Sequence, residues 1–204
     1  CYVIDYSGSM RGERDKLMRQ ELTKSIGQIG GSVDYQMIFF AGPAWVAGSE
    51  VKMLPGKKAA EVKMGGSTYK WKTLGGAHKW EQDGKKQRPE WMKGDANNRT
   101  KSLDLIQETK LVWGTDWEDP LVMALEMDPP PQVIFFMTDG STGGDMVKLA
   151  QELGKKAHNK SIINTVAMMQ PKAEKALKEL ARQTGGQFTI VEPGGKSKIV
   201  PLDD

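Results

Sequence analysis

Apolar positions along the chain follow two spacings in turn. Tyr2-Val3-Ile4 is a short apolar run of the kind a strand covered on both faces carries. From Glu13 to Ile29, residues Leu17, Met18, Leu22, Ile26 and Ile29 recur at helical spacing, and Gly30-Gly31 stops that helix. Tyr35 to Phe40 predicts the next strand. Trp45 to Val51 predicts a short third one, after the Ala41-Gly42-Pro43 turn. Beyond residue 97 the alternation resumes. Thr100 to Thr109 predicts a helix, and Pro120 to Met127 another, with Asp119 as its N-cap and Pro129-Pro130-Pro131 as its stop. Val133-Ile134-Phe135-Phe136-Met137 is the clearest buried strand. Then come a helix from Gly144 to Ala157, a strand from Ile162 to Met168, a helix from Pro171 to Gln183 and a last strand from Phe188 to Val191. Strand–helix alternation of this kind predicts an α/β domain: a central, mostly parallel sheet of about six strands with helices on both faces.

The stretch 52–97 breaks the pattern. Its apolar periodicity is weak, and it carries Lys57-Lys58, Lys85-Lys86, several glycine pairs and the tryptophans Trp71, Trp80 and Trp91. Residues 52–101 hold 13 Lys/Arg and 5 Asp/Glu, a balance of +8. The whole chain carries +3, so the rest sums to −5. The asymmetry marks an insertion between the third strand and the second helix of one domain spanning 1–204. Its tryptophans are expected to form a mini-core, with lysines solvating the outside.

Bulk properties narrow the class. The 204 residues, 38% of them hydrophobic, suffice for a core without staples. The single cysteine, Cys1, rules out an internal disulfide. No apolar run approaches the roughly 18–20 residues that span a bilayer, so no membrane contact is expected within this chain. The chain opens on a strand already under way, which suggests a piece of a longer protein.

In an open α/β sheet, ligands bind beyond the carboxyl ends of the strands. Asp5-Tyr6-Ser7-Gly8-Ser9 follows the first strand, Thr138-Asp139-Gly140 follows the central one, and Gly114-Thr115-Asp116 precedes the Pro120 helix. These loops offer carboxylates and hydroxyls, the donors of a hard cation. Gly8 is expected to permit the tight turn that brings Ser7 and Ser9 back toward Asp5. No Cys or His lies near, which argues against zinc. Helix capping by Asp5 and Ser9 is the bland alternative; it would account for one residue, not five on three loops.

Asp5-x-Ser7-x-Ser9 resembles the Asp-x-Ser-x-Ser signature of von Willebrand factor type A domains. Thr115 and Asp139 stand where that family's metal-ion-dependent adhesion site has its threonine and its second aspartate. The resemblance covers about residues 2–48 and 98–192, and Gln183-Thr184-Gly185-Gly186 is similar to the family's ending. It implies a Rossmann-like, doubly wound fold. It also implies Mg²⁺ (Mn²⁺ and Ca²⁺ being the other candidates) bound by Asp5, Ser7, Ser9, Thr115 and Asp139. The partner would be a protein that completes the shell with an Asp or Glu. The Thr115 loop departs from the family: Trp113-Gly114-Thr115-Asp116-Trp117-Glu118-Asp119 crowds aromatic and acidic residues where small or polar ones are usual. Tyr6, Trp113, Asp116 and Trp117 are therefore expected on a ligand-binding rim; in the competing account Trp113 packs in the core and Trp117 covers a helix face.

Two other classes stand beside this reading. The basic, tryptophan-bearing insertion could bind single-stranded nucleic acid, though its charges are spread out and no nucleic-acid motif is present. Alternatively, the cation serves only to steady the loops. Catalysis is not expected, since no Ser–His or Cys–His pair accompanies the two metal-bound aspartates. Adhesion-type relatives point to an extracytoplasmic or membrane-anchored parent protein.

Overall fold

The computed structural model describes residues 1–140, 142–169 and 171–202. Its main sheet has seven strands, in the order β13-β12-β11-β10-β1-β3-β4. In chain order these are β1 (Tyr2–Asp5), β3 (Met37–Phe40), β4 (Ala44–Val46), β10 (Val133–Thr138), β11 (Ile162–Met168), β12 (Phe188–Val191) and β13 (Ser197–Val200). The run β12-β11-β10-β1-β3 is parallel, and the edge strands β13 and β4 are antiparallel. The strand beyond the expected six is β13, an edge strand with mostly exposed side chains that no apolar run announces.

Helices α1 (Glu13–Gly27), α2 (Ala96–Glu108), α3 (Glu118–Leu125), α4 (Met146–Ala157) and α5 (Glu174–Thr184) cover both faces of this sheet. Strand alternation decides which side chain meets which helix. Tyr2 and Tyr6 point one way, where Tyr2 Oη meets Ser25 Oγ of α1 at 2.8 Å and Tyr6 Oη donates to the Ile106 carbonyl of α2 at 3.0 Å. Val3 and Asp5 point the other way, beside Phe136 and Phe40 in the neighbouring strands. On that face Phe136 stacks on Phe40 and takes the edge of Trp117, at 5.6 and 5.3 Å between ring centres. Burying each such ring contributes about 1.5–3 kcal/mol.

Helix starts moved where a capping side chain acts. Asp95 accepts the Asn98 amide, so α2 begins at Ala96 rather than Thr100. Asp119, expected as an N-cap, lies inside the first turn of α3 instead, behind Trp117 and Glu118.

The basic stretch is folded. β5 (Glu50–Met53), β6 (Ala59–Met64), β7 (Ser67–Thr73) and β8 (Trp80–Asp83) form an antiparallel sheet of their own. The short pair β2 (Asp34–Tyr35) and β9 (Met92–Lys93) closes the excursion. The expected third strand, Trp45 to Val51, is thereby split between two sheets at Gly48, whose φ is 90°. One face of the small sheet buries Ala60, Val62 and Trp71, while Lys63, Lys70 and Lys72 alternate outward. The expectation of a separate mini-core is corrected here: Trp71 and Trp80 belong to the same continuous hydrophobic cluster as Phe40 and Trp45. Among the described residues no helix is long and apolar enough to cross a membrane.

Candidate metal centre

β1 lies between β3 and β10, so the chain leaves its carboxyl end in one direction and returns later on the other side. A crevice opens at such a reversal. Asp5 ends β1, and Thr138 and Asp139 end β10, which places all three at its mouth.

Hydrogen bonds join them. Asp5 Oδ1 accepts the Ser7 amide at 2.8 Å, and Asp5 Oδ2 accepts the Thr138 hydroxyl at 2.6 Å. Ser7 Oγ and Ser9 Oγ are 2.8 Å apart, and Ser9 Oγ donates to Asp139 Oδ1 at 2.9 Å. Asp5, Ser7, Thr138 and Asp139 are buried, while Ser9 is exposed. Neither serine acts as a helix cap: Gly12 precedes α1 with no capping side chain, and Ser7 caps nothing at the short 3₁₀ turn Gly8–Met10. Gly8 needs no left-handed backbone either; the residue that does is Gly12, at φ 91°, where the turn breaks into α1.

Thr115 stands at the same end of the sheet. Its loop is tied to the Asp5 loop by the Ser7–Val112 bridge and by the Val112 amide on the Tyr6 carbonyl at 2.8 Å. Among the described residues no hydrogen bond joins its side chain to the other four, and its hydroxyl has no partner. The structure thus links Asp5, Ser7, Ser9 and Asp139 directly and brings Thr115 alongside on a neighbouring loop.

Two buried carboxylates so close repel. Burial, and then the Asp139 charge, push Asp5 up to about 7, against hydrogen bonds from Ser7 and Thr138 that favour its charged form. Burial also raises Asp139, opposed by the Ser9 hydroxyl and the Arg14 guanidinium. Arg14 Nη1 lies 3.5 Å from Asp139 Oδ2 and reaches the Ser9 carbonyl at 3.3 Å. One guanidinium at the edge leaves the pair under-neutralised. A divalent cation among these oxygens would remove the repulsion, and the donors are all hard. Among the described residues no group of three or more His, Cys, Asp or Glu could hold a metal. The side-chain donors gathered here are two carboxylates and hydroxyls, oxygens only, with no nitrogen or sulfur among them.

The expected rim needs correction. Tyr6 is fully buried, its ring under the Arg19 guanidinium, because strand alternation turns it toward α2. Trp117 is fully buried against Phe136. Asp116 is buried too and braces its loop: Oδ2 accepts the Trp80 amide at 2.7 Å and Oδ1 the Glu118 amide at 3.0 Å. Only Trp113 is half-buried, edge-on to Trp80 and 5.8 Å from the Lys57 ammonium. Beside the site stand Thr138, already named with its strand-end loop, and Arg14, Thr142 and His78, for which no role was legible in the sequence. Thr138 adjoins Asp139 and was within reach of the strand-end rule. Thr142 lies three residues beyond Asp139, Arg14 in the first turn of α1 and His78 in the insertion, and no local pattern marks them.

Two clefts, of about 570 and 770 Å³, lie away from this site. The first opens beside Tyr2, Val33 and Phe135, the second between the small sheet and α3. Asp5, Ser7, Ser9, Thr115 and Asp139 line neither.

Neither a protein-family model nor a curated protein sequence matches this chain. Solved structures do. A von Willebrand factor type A protein from Catenulispora acidiphila matches 94% of the chain at 14% identity with a TM-score of 0.66. The ArnB paralog VWA2 from Sulfolobus acidocaldarius matches 95% at 12% identity, with a TM-score of 0.44. An uncharacterized membrane spanning protein from Vibrio fischeri matches 93% at 16% identity, with a TM-score of 0.33. The chain spans 38% of the first of these proteins and 41% of the second. At 14% identity and a TM-score of 0.66, what the chain shares with the first of these is its architecture. The chain has the fold of a von Willebrand factor type A domain.

Proposed function

We propose that this domain binds a protein partner through a divalent cation, Mg²⁺ before Mn²⁺ or Ca²⁺, held by Asp5, Ser7, Ser9, Thr115 and Asp139. The fold supports the role of an interaction module. The observation that carries the metal reading is the hydrogen-bonded chain Asp5–Ser7–Ser9–Asp139, which brings two like-charged, buried carboxylates together across β1 and β10. The cation supplies positive charge and a coordination position for an Asp or Glu of the partner. The chain's own residues do the rest. Asp5 and Asp139 provide the negative charge, Thr138 orients Asp5, and Ser9 orients Asp139. Thr115 offers a hydroxyl with no other partner among the described residues.

The test is calorimetric titration of Mg²⁺ into the parent domain and into Asp5→Ala. The parent is expected to bind, and the variant to lose affinity by a factor of ten to a hundred or more; equal binding overturns the assignment. Partner capture should vanish with EDTA. A cation that only steadies the loops would instead raise the melting temperature without any EDTA-sensitive capture. Of the three tryptophans the nucleic-acid alternative would stack bases on, Trp71 and Trp80 are buried and Trp91 is half-buried.

A further inference from the structure

Thr115 reaches the proposed site on a loop outside the sheets, and most of what fixes its backbone comes from the inserted sheet. Its amide donates to the Ala77 carbonyl at 2.8 Å. Its carbonyl lies 3.2 Å from His78 Nδ1 and 3.3 Å from the Thr142 hydroxyl. Ala77 and His78 belong to the turn between β7 and β8. A carbonyl can only accept, so the Nδ1 facing it carries the proton. Thr142 follows Asp139 by three residues, and its hydroxyl also lies 3.4 Å from the His78 carbonyl. The turn therefore couples the Thr115 loop to the Asp139 loop.

Close approaches show that the fit is tight. A Cβ on Gly143 would come within 2.8 Å of His78 Cβ. Gly114, at φ +94°, would bring one within 2.8 Å of the Ala77 carbonyl oxygen. Side chains at either place would force the turn away from the two loops.

We infer that His78 is a positioning residue for the cation site: its Nδ1–H bond to the Thr115 carbonyl sets where the Thr115 hydroxyl stands relative to Asp5, Ser7, Ser9 and Asp139. This rests on the cation reading above. The insertion then serves the site it overhangs, and a histidine some forty residues from any metal ligand in sequence tunes cation affinity. Residues that orient metal-binding groups are worth about 10–100-fold in affinity. A single, partly exposed bond to a backbone carbonyl belongs at the lower end.

The experiment titrates Mg²⁺ calorimetrically into the parent domain, His78→Ala and His78→Asn, and melts all three in EDTA. Asn can donate to the same carbonyl through its amide. His78→Ala is expected to bind about tenfold more weakly, with an unchanged EDTA melting temperature, and His78→Asn to recover most of the loss. Binding by His78→Ala within twofold of the parent overturns the inference alone. A loss that Asn does not recover, or that follows a lowered EDTA melting temperature, shows a merely structural role and also overturns it. No Mg²⁺ binding by the parent removes the cation reading and this inference with it.

Discussion

Asp119 sits in the first turn of α3, where the helix dipole favours a carboxylate, yet its carboxyl is pushed up to about 7. Burial is the largest cause, followed by the charges of Asp116 and Glu118; Lys86 opposes them only in part. The folded state thus holds a proton that the unfolded state has released at its ordinary value of 3.8. The stability that Asp119 contributes must fall as pH rises from about 3.8 to about 7 and level off above that. Asp119→Asn, which resembles the protonated form, is expected to melt with the parent near pH 4 and to be more stable at pH 8. The gain should be on the order of 1 kcal/mol after solvent screening, or about 2–4 °C. Melts of both proteins in EDTA at the two pH values check it, and a difference that does not change with pH would refute the account. At this scale the sequence was informative about the ends of strands and silent about the direction of side chains. Asp5 and Asp139 were expected where apolar strands end, and both stand there. Tyr6 and Trp117 were misread because aromatic character near a loop does not say whether the ring turns in or out. For Tyr6 the strand's period of two held the answer, since Asp5 and Tyr6 must face opposite ways.

Between elements, a tight joint lies where the small sheet meets the main one. Gly42 follows β3, and a Cβ there would lie 2.4 Å from Trp80 Cε2 in a side chain that is itself buried. Gly42→Ala must therefore displace the Trp80 ring, and with it the amide that binds Asp116. A loss of about 1–3 kcal/mol in chemical denaturation is expected, together with weaker Mg²⁺ binding. Stability within about 0.5 kcal/mol of the parent would mean the joint is looser than its geometry. Which elements the sequence disclosed follows from burial. β1 and β3 are buried throughout and read as unbroken apolar runs; β10 reads the same way, although Phe135 on one of its faces is exposed. β6 and β7 keep a period of two: Ala60, Val62, Tyr69 and Trp71 face in, while Glu61, Lys63, Lys70 and Lys72 face out. Lysines and glycine pairs dominate that stretch and hide the alternation. The usable signal was Gly65-Gly66, whose φ values of 54° and 76° make the two-residue turn joining those strands. β13 left no comparable trace. It is a short edge strand after Pro193-Gly194-Gly195, with a polar half.

For the whole molecule, the question is whether the inserted sheet is a passenger or part of one cooperative unit. Its charge suggests a passenger: residues 52–101 carry +8 in a chain of net +3. Its burial says otherwise. Trp80 is almost fully buried, lies under Gly42, meets Trp113 edge-on at 6.1 Å, and shares one hydrophobic cluster with Phe40, Phe136 and Trp117. The lysines are where they cost nothing, on the outer face, with Lys72 paired to Glu81 at 3.0 Å in water. Composition reports mostly on that outer face, while the inner face decides cooperativity. Trp80→Ala should therefore lower the stability of the entire domain, by about 3–5 kcal/mol, rather than melt the insertion locally. Unfolding followed by far-ultraviolet circular dichroism and by tryptophan fluorescence should stay coincident and single-step in the variant, as expected when one core is shared. Two separated transitions, with the larger one unmoved from the parent, would show the small sheet to be an independent unit. In that case, too, the turn carrying His78 could not hold the Thr115 loop, because a sheet that opens on its own cannot fix a neighbour in place. The cooperativity of the fold and the role given to the insertion at the cation site therefore stand on the same packing around Trp80.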